Sequence, residues 1–458
     1  MKTIKYLLAV GFLCVYTMLP AQSKLWTLEE CIRYAIANNI SIKQLVIQKN
    51  SAEVDLNTSQ MSRLPNLNAS GGQNWNFGRT QVQTGMYENR SQSNTSFSIG
   101  SSIPLFTEFR IPNEIARNKL ELEVAVHNLE RAKEDLALNV ASLFLQVLFN
   151  KELLKVNREQ LALSESQVER TRALVETGRV PVSQLYDIEA QVANDKVSVV
   201  QAGNNLRLAL LDLSQSLELE QSAGFDIIAP VFGDVVLEYT GSVHPPQVVF
   251  NNAVQIKPVV KVQELRVQSA EKTLVIAQAG YLPVLNMNMG YSTNYFYSYN
   301  LKEYTHPVTG EPVQPKNASF SNQFRNNSGE YIGLNLSIPI FNRFSVRNQV
   351  RNARYNIENQ QLALENIRKT LYKEIETAYL NAISAQEKYK ASQQAIKSTS
   401  ESFNYAKERY EAGKSTVFEF NEARTRLVRS QSEEIQAKYD FIFRTKILDF
   451  YNGIPIKL

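Results

Sequence analysis

The chain has 458 residues, with 49 Lys and Arg against 45 Asp and Glu, for a net charge of +4 and a pI near 8.7. Two of the positive residues, Lys2 and Lys5, lie in a segment expected to be cleaved off, so the remainder is close to neutral and carries no nucleic-acid signature. Length alone allows two or three domains.

The first residues predict a secretory signal, residues 1–21. Lys2 and Lys5 supply the positive start, and Tyr6 to Leu19 is an apolar run too short to span a membrane. Ala21 offers a small residue for cleavage. Leu13, before Cys14, is bulky where a lipoprotein signal needs a small side chain, which argues against a lipid anchor. Cys31 is then the one remaining cysteine, so an intramolecular disulfide is excluded; it reads as a small apolar helix residue. No later apolar run reaches 18 residues, so no transmembrane helix is expected.

Thr27 and Glu30 form a T-x-x-E capping box that opens a helix running to about Arg63 and stopping at Pro65. From residue 66 the pattern changes to two-residue alternation. Leu67, Ala69, Gly71, Trp75 and Phe77 share one parity, and Asn66, Asn68, Ser70, Asn74 and Asn76 the other. Phe97, Ile99, Ile103 and Leu105 alternate with Ser96, Ser98, Gly100 and Ser102, which predicts a hairpin over about 66–105. Its polar face is Asn, Ser and Gly, without the charges usual on a water-exposed sheet.

Arg110 to Glu176 follows, without proline after Pro112 and without glycine until Gly178. Leu122, Val126, Leu129, Leu136, Val140, Leu143, Val147, Leu154, Leu161, Val168 and Val175 recur at alternating spacings of four and three, a coiled-coil seam. Asn113 to Glu176 is a rod of roughly 96 Å at the helical rise. A second helix is expected from Pro181 to about Leu219, and 220–244, with Gly224, Pro230 and Gly233, is a connector.

The pattern then restarts. Thr27 and Pro65 match Pro245 and Pro283 at an offset of 218, and IPLF at 103–106 matches IPIF at 338–341 at an offset of 235. The second hairpin, about 284–341, alternates too. Leu285, Met287, Met289, Tyr291, Tyr295, Tyr297 and Tyr299 oppose Asn286, Asn288, Ser292 and Asn294. Each repeat, 22–219 and 245–458, is helix, hairpin, long helix, helix. The fold class is α+β with internal duplication: long coiled-coil helices plus two hairpins.

Strands of this length and alternation fit the wall of a transmembrane β-barrel, with Trp75, Phe77, Tyr295 and Tyr297 as an aromatic girdle. A half-buried sheet covering the helices would show the same alternation; the uncharged polar face and the signal favour the barrel. Four strands cannot close, so two, three or four copies must share one barrel.

In its repeats, in LP at 64–65 and 282–283, in IPLF and IPIF, and in the turns LVETGRVPVSQLYDIEAQV (174–192) and RYEAGKSTVFEFNEARTRL (409–427), the chain resembles the TolC family of outer-membrane efflux proteins. The resemblance implies a homotrimer, with a 12-stranded outer-membrane barrel continued by a periplasmic α-barrel. It implies docking to a periplasmic adaptor protein and an inner-membrane transporter, with passive conduction of substrates. It also assigns a periplasmic gate: Glu419 and Glu422, six and nine residues after Gly413, and Tyr410, three before it. The turns at Gly178 and Gly413 would touch the adaptor, and would equally serve as plain helix C-caps. Glu419 and Glu422 also fit ordinary solvated helix positions. Two positions depart from the family pattern: Ser415 stands where an arginine is expected, and Gln184 where an acid is expected, so the closing hydrogen-bond network stays open.

No enzymatic constellation is found. His127, His244 and His306 lack metal-ligand spacing, and no phosphate loop, dinucleotide fingerprint or nucleophile elbow is present. No cofactor, metal or nucleic acid is expected. A non-conducting periplasm-spanning scaffold or adhesin is the alternative reading.

Overall fold

The computed structural model describes residues 25–81, 87–89, 91–220, 224–229, 244–305 and 309–456. The signal segment, Cys14, His306 and most of the connector lie outside the described residues.

Helices dominate, and they come in matched pairs. The first is broken: α1 (Leu28–Asn38) and α2 (Ile40–Met61) meet at Asn39. Their counterparts α5 (Pro246–Ile256) and α6 (Pro258–Ala279) break at Lys257, at the offset of 218. A single helix to Arg63 is therefore corrected. Asn39 ends α1 and its Oδ1 accepts from the Ser41 and Ile42 N–H groups, at 2.9 and 3.3 Å, which starts α2. The Thr27–Glu30 capping box forms as expected. The long helices α3 (Arg110–Glu176) and α8 (Ser345–Glu411), and the returning helices α4 (Val182–Ser216) and α9 (Val417–Tyr451), keep the offset of 235 at both ends. A further short helix, α7 (Phe320–Asn326), has no counterpart among the described residues.

The strands are β1 (Leu25–Trp26), β2 (Asn68–Asn76), β3 (Arg79–Gln81), β4 (Tyr87–Asn89), β5 (Gln92–Thr107), β6 (Asp226–Ile227), β7 (Val284–Ser298), β8 (Tyr304–Thr305), β9 (Pro312–Val313) and β10 (Gly329–Ser337). Four of them form one antiparallel sheet in the order β10-β7-β5-β2. The two hairpins thus join through β5 and β7. A bulge between Pro104 and Phe106 puts Phe106, not Leu105, opposite Leu285. In the connector, β6 pairs in parallel with β1.

The duplication extends to backbone strain. Glu108–Phe109 and Arg343–Phe344, again 235 apart, are left-handed pairs with φ between 53° and 62°. Each leads a strand into a long helix. Phe109 packs edge-on against Phe106, and Phe344 against Phe341, with ring centroids 5.3 and 5.5 Å apart.

Packing divides the chain into two compact units, each drawing on both repeats: residues 25–49, 125–263 and 363–456, and residues 50–124 and 264–362. The first unit has its main core where Val140, Phe144, Val147 and Leu148 of α3 meet Leu213 and Leu217. By length and composition alone α3 would qualify as a membrane-crossing helix. These four central side chains are instead buried in the unit's own core. The second unit holds the four-stranded sheet.

Candidate functional site: helical turns and strand faces

In the first unit, both turns are Schellman caps. Gly178 has φ +68°; its N–H donates to Val175 O and that of Arg179 to Leu174 O, both at 2.9 Å. Gly413 has φ +69°; its N–H donates to Tyr410 O at 3.0 Å and that of Lys414 to Arg409 O at 2.8 Å. Nothing lies within 4 Å of where a Cβ would sit at either glycine. Glycine is required there for its backbone conformation, not for space.

Tyr410 stacks on Phe420 with ring centroids 4.9 Å apart. It also packs against the cluster of Val168, Ile188, Val192 and Val417, so it touches helices of both repeats. Glu419 is exposed and accepts a hydrogen bond from the Ser415 hydroxyl. Its N–H donates to Thr416 Oγ1 at 3.2 Å, capping α9. Hydrogen bonds from Ser415 and then the Thr416 backbone, with a smaller part from Arg409, hold its carboxyl below the ordinary carboxylate range. Ser415, at the position where an arginine was expected, therefore bonds to the neighbouring acid itself. Glu422 accepts from Arg426 Nη1 at 2.9 Å, one turn on. Gln184 sits in the first turn of α4, its N–H donating to Pro181 O at 3.1 Å.

The sequence reading missed the most buried charges of this region. Arg424, 5 % exposed, pairs with Asp195, 12 % exposed. Arg424 Nε donates to Gln160 Oε1 at 3.0 Å and Nη2 to Gln160 O at 3.2 Å. Asp195 also accepts from Ser164 Oγ and, at 2.9 Å, from Gln191 Nε2. One network thus ties α9 to α3 and α4. Farther along α3, buried Gln167 Oε1 and Thr171 Oγ1 have no hydrogen-bond partner. Gln160, Ser164, Gln167 and Thr171 alternate at spacings of four and three, so α3 carries a polar seam beside its apolar one. That spacing was the available signal; Arg424, within RTRLVR, otherwise looks like a solvated charge.

In the second unit, the sheet has an apolar and a polar face. On the polar face, register aligns Asn68, Gly100, Gly290 and Tyr331, and beside them Ser70, Ser98, Ser292 and Gly329. Ser70 and Ser98 share a hydrogen bond of 2.7 Å. On the other face, Ile332, Leu334 and Leu336 are 57–78 % exposed. Trp75, Ser93 and Tyr297 form one cross-strand row on this face. Trp75 and Phe77 are exposed at 58 and 74 %, and Tyr297 packs against Tyr299 at 5.1 Å. Tyr295 differs, being covered by Phe320 of α7 at 5.3 Å. Among the described residues, the free edges of β2 and β10 are unpaired. The upper edge of β7 is capped by side-chain amides: Gln323 bonds to both the N–H and C=O of Phe296, and Asn317 to those of Ser298.

No group of three or more His, Cys, Asp or Glu that could hold a metal occurs among the described residues. His127 pairs with Glu130 at 2.7 Å, and His244 is exposed. Cys31 is fully buried, which pushes its thiol up to about 12.

The sequence profile of the outer membrane efflux protein family matches residues 31–218 and 249–443. The chain belongs to this family. It is an outer-membrane protein, in a family of efflux channels rather than enzymes. It is 22 % identical over 424 residues to outer membrane protein TolC of Vibrio cholerae, covering 92 % of this chain and 89 % of that protein. It is 23 % identical over 316 residues to TolC of Salmonella enteritidis, covering 68 % of this chain and 59 % of that relative's length. The fold is that of CusC, with a TM-score of 0.76 at 16 % identity over 95 % of this chain and 97 % of that one. Efflux-family membership accounts for the uncharged strand face and the long paired helices together.

Proposed function

We propose that this chain is one third of a passive export duct, a homotrimer closing a 12-stranded barrel in outer-membrane lipid, with a helical tunnel extending into the periplasm. The carrying observation is the stagger of the sheet's two open edges. The centre of β2, Gly72, lies level with Asn294 of β7 through Ser96. The centre of β10, Gly333, lies level with Asn288. The edges are therefore offset by six residues (294 − 288), and pairing β2 of one copy with β10 of the next accumulates that offset around the ring. Three copies give about 18 residues of shear over 12 strands, a strand tilt of roughly 45°. That agrees with the tilt of membrane barrels. Gly72 and Gly333 also lie on the same polar face, as such pairing requires.

At the helical turns, Glu419 and Glu422 with Tyr410 form the periplasmic gate, and the turns at Gly178 and Gly413 meet a periplasmic adaptor. An inner-membrane transporter supplies the energy. The Arg424–Asp195 network is the contact within each protomer that holds α9 against the first repeat when the gate is closed. The chain is read as signal 1–21, repeats 22–219 and 245–458, and connector 220–244. A cysteine at Gly72 and another at Gly333 test the ring directly. Oxidation in detergent should yield a covalently linked trimer. A folded monomer by light scattering, with no cross-link at this or a neighbouring in-phase register, would refute it.

A further inference from the structure

The polar face of the sheet is almost uniform. Along β2, β5, β7 and β10 its described residues are Asn, Ser, Gly, Gln, one Thr and one Pro, apart from Val284 at one end and two aromatic residues, Phe296 and Tyr331. It carries no ionisable acid or base. If this face lines the duct, the barrel cannot sort its traffic by charge, and the exposed aromatic rings are its most specific chemistry.

Tyr331 is built into the wall rather than hung from it. Its cross-strand partner is Gly290, which in turn pairs with Gly100. A Cβ added to Gly290 would lie 2.7, 2.8 and 2.9 Å from the Cε1, Cζ and Oη atoms of Tyr331. The ring therefore rests on bare backbone and needs glycine beneath it. The side chain is still 55 % exposed, so the face turned away from the sheet is open. Covering glycine by an aromatic neighbour stabilises a strand pair by itself. An open ring face on an otherwise amide and hydroxyl surface does more: it offers stacking and cation–π attraction in surroundings without a competing charge.

We infer that Tyr331 is a specificity-determining residue of the barrel, where three rings form a site for organic cations and flat aromatic solutes in transit. The inference rests on the duct reading above, because only closure of the sheet brings three copies to one level of the lumen. Cation–π contacts at exposed sites correspond to about two- to fivefold in affinity per ring.

The test is block of single-channel current by tetraphenylphosphonium, added to the full-length protein in planar bilayers. Tyr331→Phe should keep the wild-type block constant, since the ring face is retained. Tyr331→Leu, which keeps an apolar side chain over Gly290 but has no ring, should weaken block about fivefold. Gly290→Ala leaves the tyrosine in place but displaces it from the wall, and should lower the unblocked conductance. Equal block by the wild type, Tyr331→Phe and Tyr331→Leu, with normal conductance, would overturn the inference while leaving the duct intact. A wild-type trimer that never conducts would overturn the duct reading and this inference with it.

Discussion

Arg424 and Asp195 provide the sharpest energetic test of the helical packing. Both are nearly buried, at 5 and 12 % exposure, and each keeps two further hydrogen-bond contacts within the network. Arg424→Met leaves Asp195 charged and desolvated, held only by Ser164 and Gln191. Asp195→Leu leaves Arg424 with the side-chain and backbone oxygens of Gln160. Breaking one side of a buried pair costs about 3–5 kcal/mol. The remaining donors place Arg424→Met near 3 kcal/mol, which is roughly a 150-fold change in an equilibrium constant. Replacing both residues removes both charges, and the double variant should lose only about 1 kcal/mol. Hydrogen exchange read by mass spectrometry on the detergent-solubilised protein measures this locally. Protection around Arg424 in α9, and around Asp195 in α4, should fall by about two orders of magnitude in each single variant and recover in the double. Less than a threefold change in the single variants, or additive losses in the double, would mean that the pair does not hold these helices together.

Other outcomes follow from the same geometry. Leu334→Arg, at the centre of the exposed apolar row of β10, should cost about 2–4 kcal/mol in lipid, and Asn335→Arg on the polar face close to nothing, measured as heat stability of the trimer in native lipid. Leu336→Arg, nearer the end of that row, should cost less than Leu334→Arg. Gly413→Ala forces a Cβ into a left-handed position with free space around it, so it should lose about 1–2 kcal/mol of conformational energy without a steric clash, seen as faster exchange at the end of α8. Cys31, buried with its thiol raised to about 12, should resist maleimide at pH 8 in the folded protein and react on unfolding. Glu419 has a depressed pKa in the protomer, so its contribution is present above the unfolded carboxylate pKa and is lost as pH falls through the lower folded value. Ser415→Ala should move that loss to higher pH, read by carboxylate NMR on labelled protein.

The long helices were legible because nothing interrupts them: Arg110–Glu176 has an unbroken seam, and glycine follows where the chain must turn left-handed. The repeat offset then carried the same reading into the second half. The break at Asn39 was hidden, because asparagine can end one helix and cap the next without a proline or glycine. Its counterpart, Lys257, stands before Pro258, and reading the repeat backwards would have exposed both breaks. Strand order was not legible, since alternation gives the faces of a strand but not its neighbour; β5 pairing with β7 is a long-range choice. The bulge at Leu105 is likewise invisible to alternation. The charge network was obscured because Arg424 and Asp195 lie 229 residues apart. Helix periodicity places each on a face but cannot match the faces of separate helices.

Single-channel recording of the purified full-length protein is the most direct measurement of the central claim. On the proposed duct, the wild type should insert as a trimer, conduct weakly at rest and prefer cations, because the proposed gate brings carboxylates of Glu419 and Glu422 from three copies to one mouth. Divalent cations added from the periplasmic side should block it, and alanine at both positions should relieve the block and reduce the cation preference. A protein that never conducts, with or without those substitutions, would contradict the channel; conduction with unchanged block would remove Glu419 and Glu422 from its gate.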